Sequence, residues 1–374
     1  MATTKSKGPR QMIVIGADTH KSTHTCGAVF ATSGQLAGEK TAAAREAGFR
    51  ELLAWGRELD AERVWAIEDC RHVSGSLERF LVASGERVVR VPPKLMGQSR
   101  RGERAAGKSD PIDALAIARA ALREGPETLP AAHLDHQALE LKLLLDHRED
   151  LVRSRAEDQC RLRWHLHDLW PELELPSGCL DRAVWLDRLA RRLARAEQGA
   201  RVRVSRELLR AIRERSRRIA ELEREIAAMV RIQAPQLLEL PGCGALTAAK
   251  LLAETAGAAR FATDAKLARL AGVAPVPASS GQRVRHRLDR GGNRQLNCAL
   301  HRIAVTQGRI HPPARSYLAK KQAEGKSRIE ALRCLKRHLA RRVWRLLISS
   351  EIDISMTTVD SQRDSLAPQI AAAA

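Results

Sequence analysis

The chain has 374 residues, 44% of them hydrophobic, and its 64 Lys and Arg outnumber 44 Asp and Glu, giving a formal net charge of +20. That length suits two or three domains with real cores, and charges so interleaved with Leu, Ala and Val exclude global disorder. A surplus this large repels itself unless a polyanion is present, so nucleic acid is the expected partner, bound with a steep salt dependence.

Most of the basic residues are Arg, which makes planar, bidentate contacts to phosphate. With aromatics at 3%, phosphate backbones or a duplex read by shape fit better than stacked aromatic platforms. The seven cysteines are odd in number, scattered and without a CxxC, which argues for a reducing compartment and against a disulfide framework or zinc module. His20/His24 and His165/His167 have ligand-like spacings but no partner ligands nearby in sequence, and read as incidental. No apolar run reaches membrane-spanning length, and MATTKSKGPR lacks an apolar signal core. The expectation is a cytoplasmic protein with no membrane partner.

In chain order, residues 11 to 18 (QMIVIGAD) predict a short strand ending in a carboxylate. A second strand is expected at 25 to 30, a turn at Ser33-Gly34, and a third strand to about Lys40. Residues 43 to 58 predict a helix, with Phe49, Leu52, Leu53 and Trp55 on one face. Residues 63 to 68 (RVWAIE) predict a strand, again ending in a carboxylate, followed by a helix near 75 to 84 and a strand at 87 to 91. Pro92-Pro93 breaks the pattern. A helix is predicted over 110 to about 123, with Asp110 as N-cap, Pro111 first in the helix and Asp113 in its first turn. Residues 124 to 133 read as a linker. The first 130 residues therefore form an α/β domain with a mixed sheet.

From about 134 to 170, and again from 180 to 232, the pattern is helical, with a Pro/Gly break at 171 to 178. Ile212, Ile219, Leu222, Ile226 and Met229 make a short heptad stripe. Residues 131–232 thus read as a long antiparallel helical hairpin, or coiled-coil arm, for oligomerisation or for gripping nucleic acid. Residues 233–350 read as a mostly helical C-terminal domain. At its start, residues 236 to 256 resemble a helix-hairpin-helix, where Gly242 and Gly244 would let backbone N–H groups approach a phosphate. A Ser/Gly/Arg loop at 278 to 295 lies between two helices. A final helix over 326 to 348 is rich in Lys and Arg, and the tail, 351–374, reads as disordered.

Four acids stand out by position. Asp18 and Glu68 end strands, and Asp110 and Asp113, three apart, share one face of a helix. If that helix packs against the two strand ends, four carboxylates converge. Hard divalent cations need such oxygen ligands, so Mg2+, or Mn2+ in its place, is the expected cofactor, suited to phosphoryl transfer. Asp69 rivals Glu68, since strand alternation lets only one of them face the site.

Taken together, IGADTHK around Asp18 and Lys21, AIED with Glu68, and KSDPIDALAIA with Asp110 and Asp113 resemble the insertion-sequence-110 transposases. LPGCGALTAAKLLAE, LARLAGVAP, ASSG, RGGNRQL and the closing GKSRIEALRCLKRHLARRVWRLL extend the likeness, in order, over roughly residues 11 to 348. The resemblance implies an RNase H-like, RuvC-like N-terminal domain carrying a DEDD set at Asp18, Glu68, Asp110 and Asp113. It also implies a C-terminal transposase domain whose serine, Ser280 here with Ser279 as rival, attacks a DNA phosphodiester and forms a covalent phosphoserine intermediate. The two parts of such a composite site can come from different subunits of a dimer or tetramer. The family resemblance further implies a structured bridge RNA that pairs with donor and target DNA. Arg283, Arg285 and Arg287 would neutralise charge at the reacting phosphate. Lys21, Gly242, Gly244, Arg294, Lys326, Lys336 and Arg337 are the other expected nucleic-acid contacts. The chain departs from the family after Glu68, where Asp69-Cys70-Arg71-His72 stands in place of a small residue, Thr-Gly and an aromatic. Two alternatives remain for the residues themselves: a Mg2+-dependent, structure-specific endonuclease using water, and a non-catalytic nucleic-acid-binding protein.

Overall fold

The computed structural model describes residues 12–68, 71–92, 95, 109–132, 136–278, 286–287, 289 and 292–371, with the side chains of 71–72 and 350–371 outside that description. Two compact units result. One comprises Met1–Asp135 with Ala259–Ala262, the other His136–Ala258 with Thr263–Ala374.

The first unit is built on a five-stranded sheet: β1 (Ile13–Thr19), β2 (Thr23–Phe30), β3 (Leu36–Ala43), β4 (Arg63–Glu68) and β5 (Val88–Val91), in the order β3-β2-β1-β4-β5. β1, β2 and β3 are antiparallel neighbours, whereas β4 runs parallel to β1 and β5 parallel to β4. This mixed sheet with helices on its faces is consistent with the expected RNase H-like class.

Alternation along the strands sorts the side chains. Ile13, Ile15, Ala17, Trp65 and Ile67 face the helices Glu46–Leu59 and Arg71–Ala83, meeting Phe49, Leu52, Leu77 and Leu81. Val14, Val64 and Ala66 face the opposite way, toward Ala116, Ile117, Ala120 and Ala121 of the helix Asp110–Glu124. That helix approaches closely because its inner face is mostly alanine and because Gly16 lies beneath it. A Cβ on Gly16 would stand 2.1 Å from the Ala114 carbonyl oxygen and 2.4 Å from the Ala118 nitrogen.

Glu86 anchors one edge of this unit. Its carboxylate accepts bonds from Arg63 Nε (2.7 Å) and Nη2 (2.6 Å), Trp65 Nε1 (3.1 Å) and Arg57 Nε (3.2 Å). Burial opposes its charge, but the bonds from Arg63 and Trp65, the Arg63 charge and the bond from Arg57 outweigh it and hold Glu86 below its ordinary range. A depressed carboxyl stabilises the fold fully above the unfolded value, about 4.3, and loses that contribution as pH falls through the lower folded value. Glu86→Gln should therefore cost about 3–5 kcal/mol at neutral pH and flatten the acid limb of urea-denaturation stability. Wild-type-like stability at pH 7 would contradict this.

The second unit is helical. The helices His136–Leu169 and Ala200–Gln233 run antiparallel, since Arg148 meets Glu223, Arg155 meets Ser216, Asp158 meets Arg215 and Asp168 meets Arg201. These two helices differ from the sequence expectation in two places. The buried stripe ends on Ile226 and Val230 rather than Met229, because a straight helix drifts away from a seven-residue repeat. The expected helix over 180 to 232 is two, Ala183–Arg195 and Ala200–Gln233. Gly199 caps the second, and the Gln198 side-chain amide donates to the carbonyls of Leu193 (3.4 Å) and Ala196 (2.6 Å), satisfying the broken end.

The hairpin near residue 240 joins the short helix Pro235–Leu238 to Ala245–Thr255. Gly242 has φ +82°, and a Cβ there would lie 3.0 Å from Thr306 Cβ, so this turn packs on the helix Arg294–Ile310. Gly244 caps the second helix with open space around its Cβ position. The last helix, Arg328–Ala371, extends past residue 348, where the sequence reading ended it, as a stretch with no Gly or Pro before Pro368 permits. The helix Pro312–Ala323, with Pro at its start, was not foreseen; only Ala314 is buried on it, so it shows little apolar periodicity.

Candidate metal centre

The parallel register of β1 and β4 pairs Ala17 with Ile67, so Asp18 and Glu68 are the next residues on adjacent strand ends. Each continues the set that faces the helix Asp110–Glu124: Val14, Gly16, Asp18 on one strand and Val64, Ala66, Glu68 on the other. Helix and strand ends meet there. Ser109, rather than the expected Asp110, is the N-cap, and Pro111 lies in the first turn. Asp110 is thus a helical residue with its carboxylate half in solvent, whereas Asp113, a turn further in, is buried.

Asp18 is buried, and His20 Nε2 lies 3.1 Å from its Oδ2 and 3.4 Å from Asp110 Oδ1. Ligand atoms of Asp18, His20 and Asp110 all fall within 4.8 Å of one another. Burial pushes the Asp18 carboxyl up, His20 opposes, and the charges of Asp113 and Asp110 push it further. A buried carboxylate crowded by like charges is costly without a cation, and oxygen donors in this arrangement suit a hard divalent ion. The donor set therefore fits Mg2+ or Mn2+. Asp113 and Asp110, from a stretch of sequence distant from Asp18, both act on it electrostatically. Glu68 is half-buried on the same face.

His20 is the residue that spacing misjudged. It follows the strand end in the turn between β1 and β2, where its ring spans two acids nearly a hundred positions apart. Its presumed companion His24 is a core residue, stacked on Phe49 at 5.5 Å between ring centroids.

Asp69, Ser279, Ser280, Gly281, Arg283 and Arg285 lie outside the described residues. Lys21, Arg294 and Lys326 are exposed, as is Arg287 in the two-residue ladder β6 (Val276–Pro277) with β7 (His286–Arg287). Lys336 is buried against Asn297, and Arg337 pairs with Asp264 at 2.7 Å, so neither is a free surface cation. No described helix is long and apolar enough to cross a membrane.

Residues 15–171 match a family model described as a transposase with an IS110-type DEDD region, and residues 234–319 match one described as "Transposase IS116/IS110/IS902 family". An insertion element IS900 protein of 42 kDa from Mycobacterium paratuberculosis is 29% identical over 90% of this chain and 96% of its own length. The IS116 protein of 44.8 kDa from Streptomyces clavuligerus is 28% identical over 90% of this chain and 94% of its own. The IS110 protein of 43.6 kDa from Streptomyces coelicolor is 39% identical over 26% of this chain and 25% of its own. The first matched segment holds the acids together with the first helix of the arm, and the second runs from the hairpin near residue 240 into the helix Pro312–Ala323. The chain belongs to the IS110/IS116 family of transposases, enzymes of phosphoryl transfer on DNA.

Proposed function

We propose that this transposase cuts and rejoins DNA through a covalent bond between Ser280 and DNA, at a RuvC-like centre formed by Asp18, Glu68, Asp110 and Asp113. The observation that carries the reading is the gathering of Asp18, His20 and Asp110, with Asp113 acting on Asp18, where strand ends meet a helix start. When bound there, a divalent ion would supply Lewis-acid stabilisation of the charge that builds on a reacting phosphate. The acids hold and orient, and His20 bridges two of them.

In the proposed reaction the Ser280 hydroxyl oxygen bonds to phosphorus, the bond from phosphorus to one deoxyribose oxygen breaks, and that oxygen leaves carrying a proton in place of the one serine gives up. A free deoxyribose hydroxyl then attacks the phosphoserine and releases serine, so no phosphodiester energy is lost to water. Arg283, Arg285 and Arg287 would balance charge in the first step. In the same reading residues 1–130 are the catalytic domain, 131–232 an arm and 233–350 the serine-bearing domain. A homo-oligomer brings the parts together in the cytoplasm, and a structured noncoding RNA pairs with donor and target DNA.

The test is a denaturing gel of protein incubated with labelled DNA and Mg2+. A protease-sensitive adduct is expected from wild type and none from Ser280→Ala. Undiminished strand scission by Ser280→Ala, without adduct, would overturn the serine step in favour of hydrolysis by water. His20→Ala is expected to weaken Mn2+ binding about 10–100-fold, the usual cost of losing a group that orients metal ligands; equal affinity would remove His20 from the centre. Protein purified through a high-salt wash should retain one discrete structured RNA, and random RNA alone would contradict the guided mechanism.

A further inference from the structure

In the helical unit a cavity of about 440 Å³ is lined by the turn Gly272 to Pro275, by His286 and Arg287, and by the helices Pro312–Ala323 and Arg328–Ala371. Six cationic side chains and two carboxylates line it: Arg287, Lys321, Lys326, Arg333, Lys336 and Arg337 against Asp289 and Glu330. We propose that this cavity binds a phosphate group of a nucleic-acid strand, with Lys336 as its buried cation and Arg333, Arg287 and Lys326 beside it. The source of that phosphate rests on the reading of the chain as a DNA recombinase, whereas the anion site itself does not.

Lys336 is only 6% exposed. Its ammonium donates to Asn297 Oδ1 at 2.8 Å, and the Asn297 amide is held by the carbonyls of Ala271 (2.9 Å) and Gly272 (3.2 Å). A neutral oxygen is a weak counterpart for a buried ammonium, which is stable only when its charge is compensated. The two acids of the cavity are turned to other groups. Asp289 lies 3.6 Å from Arg269, and Glu330 accepts from the Ser327 hydroxyl at 2.8 Å. Arg337 is committed to Asp264 and Lys321 to Glu324. Among the described residues, Lys336, Arg333, Arg287 and Lys326 have no ion-pair partner within 4 Å, though the charges of Arg333 and Lys326 act on Glu330 after its Ser327 bonds.

The surroundings agree. Burial, and then the Arg333 charge, hold Lys336 below its ordinary value. His338 is lowered by burial and by Arg341, Arg337 and Lys321. Positive groups here repel one another, and an anion among them would offset that repulsion by attracting each. Tyr317, edge-on to His338 at 5.1 Å between ring centroids, gives the cavity an apolar side against which a sugar can rest. The size falls within the range of small-ligand sites, about 300–1,000 Å³, enough for a phosphodiester with its flanking sugars.

The experiment is calorimetric titration of the full chain, at fixed ionic strength, with inorganic phosphate, a thymidine dinucleotide and a uridine dinucleotide. Saturable binding of at least one dinucleotide is expected, weakened tenfold or more in Lys336→Met and in Arg333→Gln. The Arg333 side chain is not part of the buried core, so that variant keeps the test decisive if Lys336→Met misfolds. Arg224→Gln, on a helix that does not line the cavity, should bind as wild type. Asp18→Asn should too, so loss of cleavage chemistry cannot pass for loss of this site. Whichever dinucleotide binds more tightly identifies the strand. Binding of inorganic phosphate alone would overturn the nucleic-acid assignment. No saturable binding, or affinity unchanged in both cavity variants, would overturn the site.

Discussion

Asp18→Asn is expected to reduce DNA strand cleavage by about 10²–10³-fold or more, the scale set by removing one group that stabilises a developing charge, while nucleic-acid affinity changes little. The two effects separate because they come from different parts of the molecule. Binding draws on a surplus of 20 positive charges spread over the chain, and one neutralised acid hardly alters it. Cleavage draws on a single cluster, and Asp18 is its most buried acid in contact with His20. The substitution keeps the shape and removes the charge. Since burial and the neighbouring acids already disfavour the Asp18 carboxylate, the variant should unfold, in EDTA, at the wild-type temperature or slightly above it. Cleavage assays, salt-dependent binding curves and thermal melts on one preparation check all three statements. A variant that cleaves normally removes Asp18 from the chemistry.

Gly16→Val should fail in the opposite manner, losing stability and metal binding together. The added Cβ meets backbone atoms, the Ala114 oxygen and the Ala118 nitrogen, at well under contact distance. Backbone cannot rotate aside as a flexible side chain can, so the helix Asp110–Glu124 must lift from the sheet. Overpacking typically costs 1–3 kcal/mol, and a β-branched residue against backbone belongs at or above the top of that range, about 3 kcal/mol or more. The same displacement carries Asp110 and Asp113 away from Asp18. The urea midpoint should fall, and Mn2+ affinity should fall in any fraction that stays folded. A stable Gly16→Val protein with intact metal binding would show that this contact does not position the acids.

Much of this arrangement was legible in the sequence. β-rich runs ending in Asp18 and Glu68 mark strand ends, and Asp-Pro-x-Asp before an alanine-rich stretch marks a helix start that can pack closely. What sequence periodicity does not carry is contact between distant residues. The residues next to His20 in sequence do not make up a ligand set with it, yet its nearest acids include Asp110. Lys336 and Arg337 read as surface cations in a basic helix, but the helix turns them toward Asn297 and Asp264. The interruption at residues 196 to 199 was hidden by helix-forming neighbours on both sides, with Gly199 as its local sign. The helix Pro312–Ala323 carries almost no apolar stripe, so the sequence gives no periodic sign of it.

The proposed chemistry requires acids from separate stretches of chain to share one divalent ion. Titration of Mn2+ followed by electron paramagnetic resonance tests this without any DNA. Wild type should bind Mn2+ saturably, and Asp18→Asn and Asp113→Asn should each weaken that binding about tenfold or more, within the range seen when a metal site loses a supporting group. Equal Mn2+ affinity in wild type and both variants would contradict it.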